Sequence, residues 1–382
     1  MIPFDFYCPT RIIFGPGKLL ELGALASGLG GKRVLVVSDP GVVKAGHAAR
    51  GIRSLEQSGI TATLFDRIQE NPTTAHVNDG LADAKEFRPD MIIGLGGGSS
   101  MDCAKGINFL YSCGGRMQDY WGEGKATGPL LPMIAVPTTA GTGSETQSYA
   151  LIADATTHVK MACGDKRAAF RAAILDPELT LTQPARVTVL TGIDALAHAL
   201  ETYVTRRRTS VSLAFSREAW RHLAPNMPRV IRDPENLEAR AQMQLGACLA
   251  GLAIENSMLG ATHALANPLT ATYGIAHGEA IALMLPHVVR RNAELVEPWY
   301  RDLVECCDLE LTASESSAGD ALARFVSDVS REAGLAAKLS DCRVEREKLP
   351  RLAEAATQQW TGKFNPVELS GDDYLKLYEA AF

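Results

Sequence analysis

The sequence has no C-x-x-C pair. Its eight cysteines, Cys8, Cys103, Cys113, Cys163, Cys248, Cys306, Cys307 and Cys342, are scattered along 382 residues. That pattern argues against a disulfide framework or a thiolate metal site and for reduced thiols in a cytosolic protein. No uninterrupted apolar run reaches the roughly 18 residues that a bilayer span needs. Residues 1–6, MIPFDF, lack the charged and apolar regions of a secretory signal. A soluble, cytoplasmic protein with no membrane partner is expected. Basic charge is in deficit, 38 Lys and Arg against 44 Asp and Glu for a net charge of -6, so nothing favours nucleic acid as a partner. The one basic run, Arg206-Arg207-Arg208, reads as a solvated helix end. Also missing are the G-x-G-x-x-G fingerprint and the Walker A loop.

What is present divides into two halves. In the first, β-type runs at 11–14, 32–37, 60–65, 91–95 and 131–136 alternate with helical stretches at 18–29, 43–58 and from a loop at 70–73 to about 86. Strands alternating with helices of ten or more residues predict βαβ units and a parallel sheet covered on both faces. Beyond about Thr182 the segments become rich in Ala and Leu with no clear strand to the end. The fold expected is an N-terminal α/β domain, residues 1–182, followed by an all-α domain, residues 183–382. Asp233-Pro234 and 311–318 read as loops, and 360–366 interrupts the last helices.

Two loops in the first half carry chemistry. After the strand at 91–95 comes Gly96-Gly97-Gly98-Ser99-Ser100-Met101-Asp102. Three glycines let the backbone approach a ligand closely, and the helix that follows points free N–H groups at it, which suits a diphosphate. Such a loop at a strand-to-helix junction lies where α/β sheets collect ligands. The second loop, Pro137-Thr138-Thr139-Ala140-Gly141-Thr142-Gly143-Ser144-Glu145, offers hydroxyls to a nucleotide or substrate; the plain alternative is a loop held by Thr and Ser turns. Asp39 ends the strand at 32–37 and can accept a bond from a ribose 2′-hydroxyl while repelling a 2′-phosphate, which argues for NAD over NADP. Otherwise it is an ordinary turn Asp before Pro40.

The second half holds Gly192-Ile-Asp194-Ala-Leu-Ala-His198-Ala-Leu-Glu201. It reads as helix, so Asp194 and His198, four apart, share one face with Cβ atoms about 6 Å apart. The surroundings are apolar, and an ionised Asp taken out of water costs several kcal/mol unless a cation or donor answers it. A core Asp bonded to a His one turn on would be the bland account. Of eight histidines, two more, His263 and His277, lie in apolar, Gly-bounded segments. One carboxylate and three imidazoles make a four-ligand site for Fe(II) or Zn(II).

Taken together, G-G-G-S-x-x-D-x-A-K at 96–105, P-T-T-A-G-T-G-S-E at 137–145, G-x-D-A-x-x-H at 192–198, and His263 and His277 fourteen apart are specific. With them the chain resembles the iron-containing (group III) alcohol dehydrogenases over nearly all of its length. The resemblance implies a dinucleotide-binding domain, a helical metal domain of dehydroquinate synthase-like architecture, and a cleft where nicotinamide meets substrate. It implies Asp194, His198, His263 and His277 as metal ligands acting in catalysis through the metal. Gly97, Gly98 and Ser99 match the pyrophosphate loop, with Asp102 opening the next helix. Thr138, Thr139, Ser144, Asn71, Lys160 and Leu179 match nucleotide contacts; Lys160 is otherwise a surface strand residue. Many relatives carry a second His four residues after the third ligand and use it in proton transfer; here that place is Asn267, which takes up no proton at neutral pH. The activity implied is reversible hydride transfer between a small alcohol and NAD, in a homo-oligomer, a dimer. Alternatives are an enzyme of phosphorylated substrates, of the glycerol-1-phosphate dehydrogenase or dehydroquinate synthase type, or a non-catalytic NAD-binding scaffold.

Overall fold

The computed structural model describes residues 3–309 and 317–382, so most of the loop read at 311–318 lies outside the described residues. The chain divides into two compact units, Cys8–Gln183 and Pro184–Phe382, and the residues before Cys8 group with the second.

The first unit is built on nine strands: β1 (Arg11–Phe14), β2 (Arg33–Val37), β3 (Thr61–Phe65), β4 (Met91–Gly96), β5 (Gly122–Glu123), β6 (Met133–Pro137), β7 (Tyr149–Ala153), β8 (Lys160–Gly164) and β9 (Ala172–Leu175). Its helices are α1 (Leu22–Gly28), α2 (Pro40–Lys44), α3 (His47–Gln57), α4 (Thr74–Phe87) and α5 (Gly98–Cys113), with short 3-10 turns between. Six strands form a sheet in the order β1-β9-β6-β4-β2-β3, every neighbouring pair parallel. In β4 and β6 every residue is buried, the continuous apolar run that a strand covered on both faces requires. Leu19, Leu22, Val34, Val36, Ile93, Val136 and Leu179 share one core beneath the helices. The chain runs from β2 out to β3 at the edge, then returns to the other side of β2 to lay down β4. The strand order therefore reverses between β2 and β4, and the crevice at their carboxyl ends is where such sheets bind ligands.

Three differences from the sequence reading have local causes. The helix expected at 43–58 starts earlier, at Pro40, because Asp39 caps it with Pro in its first turn; it breaks at Gly46, which is left-handed at φ 83°. Strands β7 and β8 pair antiparallel and, with β5, make a separate three-stranded sheet. Their alternation is muted by Ala and Gly, and the turn between them is held by Asp154 accepting from the N–H groups of Thr156 and Thr157 rather than by an Asn-Gly signal. Strand β9, AAIL, is short and half alanine, a weak strand former.

The second unit is helical, with no strand among its described residues: α6 (Ala185–Val204), α7 (Ser210–Arg232), α8 (Leu237–Glu255), α9 (Ala261–Tyr273), α10 (His277–Glu305), α11 (Ala318–Glu332), α12 (Leu349–Thr357) and α13 (Gly371–Ala380). Helix α6 is buried from Gly192 to Val204. Arg206-Arg207-Arg208 follows its end, and the guanidiniums of Arg207 and Arg208 lie over the rings of Phe364 and Trp299. Among the described residues no helix is long and apolar enough to cross a membrane.

Candidate metal centre and nucleotide loops

Helix α6 places Asp194 and His198 one turn apart, 7 % and 5 % exposed. Gly260 starts α9 and puts His263 in its first turn, and His277 is the first residue of α10. Glycine is needed just after it: a Cβ on Gly278 would lie 2.2 Å from the carbonyl oxygen of Leu190 on α6. The two helices thus touch backbone to backbone, which delivers His277 to Asp194.

The three rings converge on one oxygen. Nε2 of His198, His263 and His277 lie 3.2, 3.3 and 3.7 Å from Asp194 Oδ1. One donor atom each from Asp194, His263 and His277 all fall within 4.8 Å of one another; His198 stands beside this group, its ring 5.0 Å from that of His263. Burial would raise the Asp194 carboxyl, but the imidazoles of His198, His263 and His277 overcome it and hold the group well below the usual range. Three imidazolium ions crowded against one carboxylate would repel one another, whereas a single divalent cation lets all three rings stay neutral and share it. The donor set, one carboxylate and imidazole nitrogens, suits Fe(II) or Zn(II). These residues fit a metal ion.

One residue of this region had no role in the sequence reading. Glu201, seven residues after Asp194 and 4 % exposed, lies 2.5 Å from His263 Nδ1 through Oε2 and accepts from the Thr262 N–H at 2.7 Å through Oε1. Burial acts to raise the Glu201 carboxyl, and His263 outweighs it and lowers it. Burial likewise acts against a charged His263, yet Glu201 and Asp194 push its imidazole up to about 9. The available signal was the spacing: 194, 198 and 201 fall on one face of a helix.

In the α/β unit, Gly97 caps α5, and Gly98 and Ser99 open it, so the helix begins four residues before Asp102 rather than at it. Gly98 must lack a Cβ, which would sit 2.6 Å from Thr142 Cγ2 of the second loop. Asp39 lies at the switch point: its Oδ1 accepts from the N–H groups of Gly41 and Val42 and its Oδ2 from Ser100 Oγ at 3.1 Å. Thr138 N–H donates to the Gly96 carbonyl at 3.0 Å, and Thr139 stands against Gly97. Asp102 and Ser144 face each other below the loops, Ser144 Oγ donating to Asp102 Oδ1 at 2.7 Å. Fully buried Lys105 donates to the Ser144 carbonyl, Ser144 Oγ and the Tyr149 carbonyl at 2.8, 2.9 and 2.8 Å. Burial raises Asp102 despite Lys105 and lifts Glu145 to about 7. Asn71 sits in a left-handed turn at φ 55°, Lys160 is exposed at the start of β8, and the Leu179 side chain is wholly in the core, leaving only its main chain for a ligand.

A parallel doubly wound sheet and a helical unit with an Asp/His cluster define a class, and comparison with known proteins specifies it. The model for "Iron-containing alcohol dehydrogenase" matches residues 9–177 and the C-terminal model of the same family matches 188–382. The chain belongs to the iron-containing alcohol dehydrogenase family. It is 35% identical to alcohol dehydrogenase 4 of Schizosaccharomyces pombe, over 98% of this chain and 88% of that one. It is 30% identical to the NAD-dependent methanol dehydrogenase of Bacillus methanolicus, over 99% of each. The crystal structure of a 1,3-propanediol oxidoreductase superposes with a TM-score of 0.96 at 33% identity, covering 100% of both chains. The protein is thus a metal-dependent oxidoreductase that interconverts alcohols and aldehydes with a nicotinamide cofactor.

Proposed function

We propose that the protein reduces and oxidises small, unphosphorylated alcohols and aldehydes with NAD rather than NADP, using Fe(II), or Zn(II) in its place, held by Asp194, His198, His263 and His277. The observation that carries the metal assignment is the approach of three imidazole nitrogens to one oxygen of Asp194. Bound there, the ion supplies Lewis acidity at the alcohol or carbonyl oxygen. Gly97, Gly98 and Ser99 offer the N-terminus of α5 to the diphosphate. The carboxylate of Asp39 disfavours a 2′-phosphate. Thr138, Thr139, Ser144, Asn71, Lys160 and the Leu179 main chain complete the coenzyme contacts, with Asp102 holding Ser144 in place.

Asn267 on α9 donates to Gln359 at 3.0 Å and carries no titratable proton, so the proton leaves through water or a ribose hydroxyl of the coenzyme. Neither ligand segment, 192–201 or 260–279, contains Lys or Arg, which speaks against a phosphorylated substrate. The lack of spaced cysteine pairs supports a cytoplasmic setting, and Phe14 on edge strand β1, 38 % exposed, with Leu20, 69 % exposed, supports a homodimer. The test is NADH-linked turnover of short aldehydes on protein loaded separately with Fe(II) and Zn(II). Asp194→Ala should abolish turnover and metal uptake while NADH still binds; full activity in that variant, or after metal removal, would sink the reading.

A further inference from the structure

Four ligands do not by themselves fix the ring of His263. An imidazole presents a lone pair to a cation through one nitrogen only if its proton sits on the other. The group facing the other nitrogen therefore decides whether the ring can ligate at all. For His198 the structure supplies no such group: its Nδ1 is buried and has no hydrogen-bond partner among the described residues. For His263 it supplies Glu201.

Resting on that metal reading, we infer that Glu201 is a positioning residue that makes His263 an Nε2 ligand. Both carboxylate oxygens are committed to the start of α9. Oε2 lies 2.5 Å from His263 Nδ1, and Oε1 accepts from the N–H of Thr262 at 2.7 Å. An ionised carboxylate only accepts hydrogen bonds, so Nδ1 keeps its proton, and Nε2 is the nitrogen whose proton gives way when a metal binds. That Nε2 is the atom aimed at Asp194 Oδ1, 3.3 Å away. Without a metal a proton bridges these two atoms; a divalent cation would take that proton's place. The carboxylate also fits closely. A Cβ on Gly260 would stand 3.1 Å from Glu201 Oε1 and 3.0 Å from Asn365 Oδ1, and Asn365 in turn is paired both ways with Asn292 at 3.0 and 2.8 Å. Gly260 thus packs closely against both Glu201 and Asn365. One helix, α6, carries two ligands and the anchor of a third, so the site's geometry depends on local helix spacing as well as on the packing of α9.

A merely structural role would be to cap the first turn of α9 through Thr262. Glu201→Gln separates the two roles. The Gln carbonyl can still accept from Thr262, but its amide then turns a donor toward His263 Nδ1 and favours the proton on Nε2, the form that cannot ligate. Metal affinity is read by competition with a chromophoric chelator, using Co(II) and Zn(II), together with the visible ligand-field spectrum of the Co(II) protein. Glu201→Gln is expected to weaken metal binding about 10–100-fold and to change the Co(II) spectrum, while the far-UV circular dichroism of chelator-treated protein and NADH affinity stay at the wild-type values. Glu201→Asp keeps the charge, withdraws it by one methylene and should fall between. Wild-type metal affinity in Glu201→Gln would overturn the inference alone; should that variant not fold, wild-type affinity in Glu201→Asp would do so. A wild-type protein that takes up no Co(II), or an Asp194→Ala variant that binds it equally well, would instead overturn the metal reading, and this inference with it.

Discussion

Asp39 is used at both of its oxygens. One caps α2 and the other takes the Ser100 hydroxyl, so the residue holds the start of one helix and the glycine loop together at the point where the strand order reverses. The turn account and the coenzyme account of this residue are therefore compatible. Asp39→Asn keeps the capping oxygen and removes the charge. The expected result is a kcat/KM preference for NADH over NADPH that narrows about tenfold, equivalent to about 1.4 kcal/mol, measured side by side with one aldehyde; an unchanged ratio would remove Asp39 from the specificity argument. At this scale the sequence was legible wherever the determinant is local. Asp194 and His198 are neighbours by helix spacing alone. The meeting of Asp194 with His263, 69 residues on, depends on how α6 and α9 pack, and only the resemblance to a family indicated it. Glu201 escaped because a Glu at the end of an Ala- and Leu-rich helix is more often a solvated end.

Among the elements, α5 and the loop from Pro137 to Glu145 behave as one piece. Lys105 and Asp102 come from the helix, Ser144 from the loop, and the three are bonded in a buried cluster. Glu145 sits in the same loop, 3 % exposed. Its carboxyl is pushed from 4.5 up to about 7 by burial, so the folded chain binds that proton more tightly than the unfolded chain does. The stability associated with the neutral form is present in full below pH 4.5 and is lost as the pH rises through 7. By pH 8 the loss is on the order of 3 kcal/mol. Urea midpoints of wild type and Glu145→Gln should therefore diverge between pH 5 and 8, the Gln variant falling less; parallel curves would show that this carboxyl ionises freely. The strands that sequence reasoning missed, β5, β7 and β9, together with β8, allowed for only at Lys160, are short or rich in Ala and Gly. Tertiary pairing holds them where propensity alone is weak. The long apolar runs of β2, β4 and β6 were readable because both faces are buried.

Across the whole molecule, each unit carries its own share of the proposed ligand contacts: the glycine loop in Cys8–Gln183 and the Asp/His cluster in Pro184–Phe382. A ligand that binds only the folded form stabilises it by an amount that grows with the logarithm of its concentration relative to the dissociation constant, about 4 kcal/mol at a thousand times that constant. Calorimetry with and without a chelator should show a lower melting temperature on metal removal, and NADH should still raise that temperature in the chelated protein. Loss of the NADH effect on chelation would mean that the two ligand sites are not independent. The bare contact of Gly278 with Leu190 extends the same logic to a residue that touches no ligand. Where two main chains meet with no room for even a methyl group, the smallest substitution acts as a wedge. Gly278→Ala leaves the four proposed donor side chains chemically intact and yet should strip the protein of its metal, read by metal analysis, because the helix that begins at His277 must back away from its neighbour and carry the imidazole out of reach.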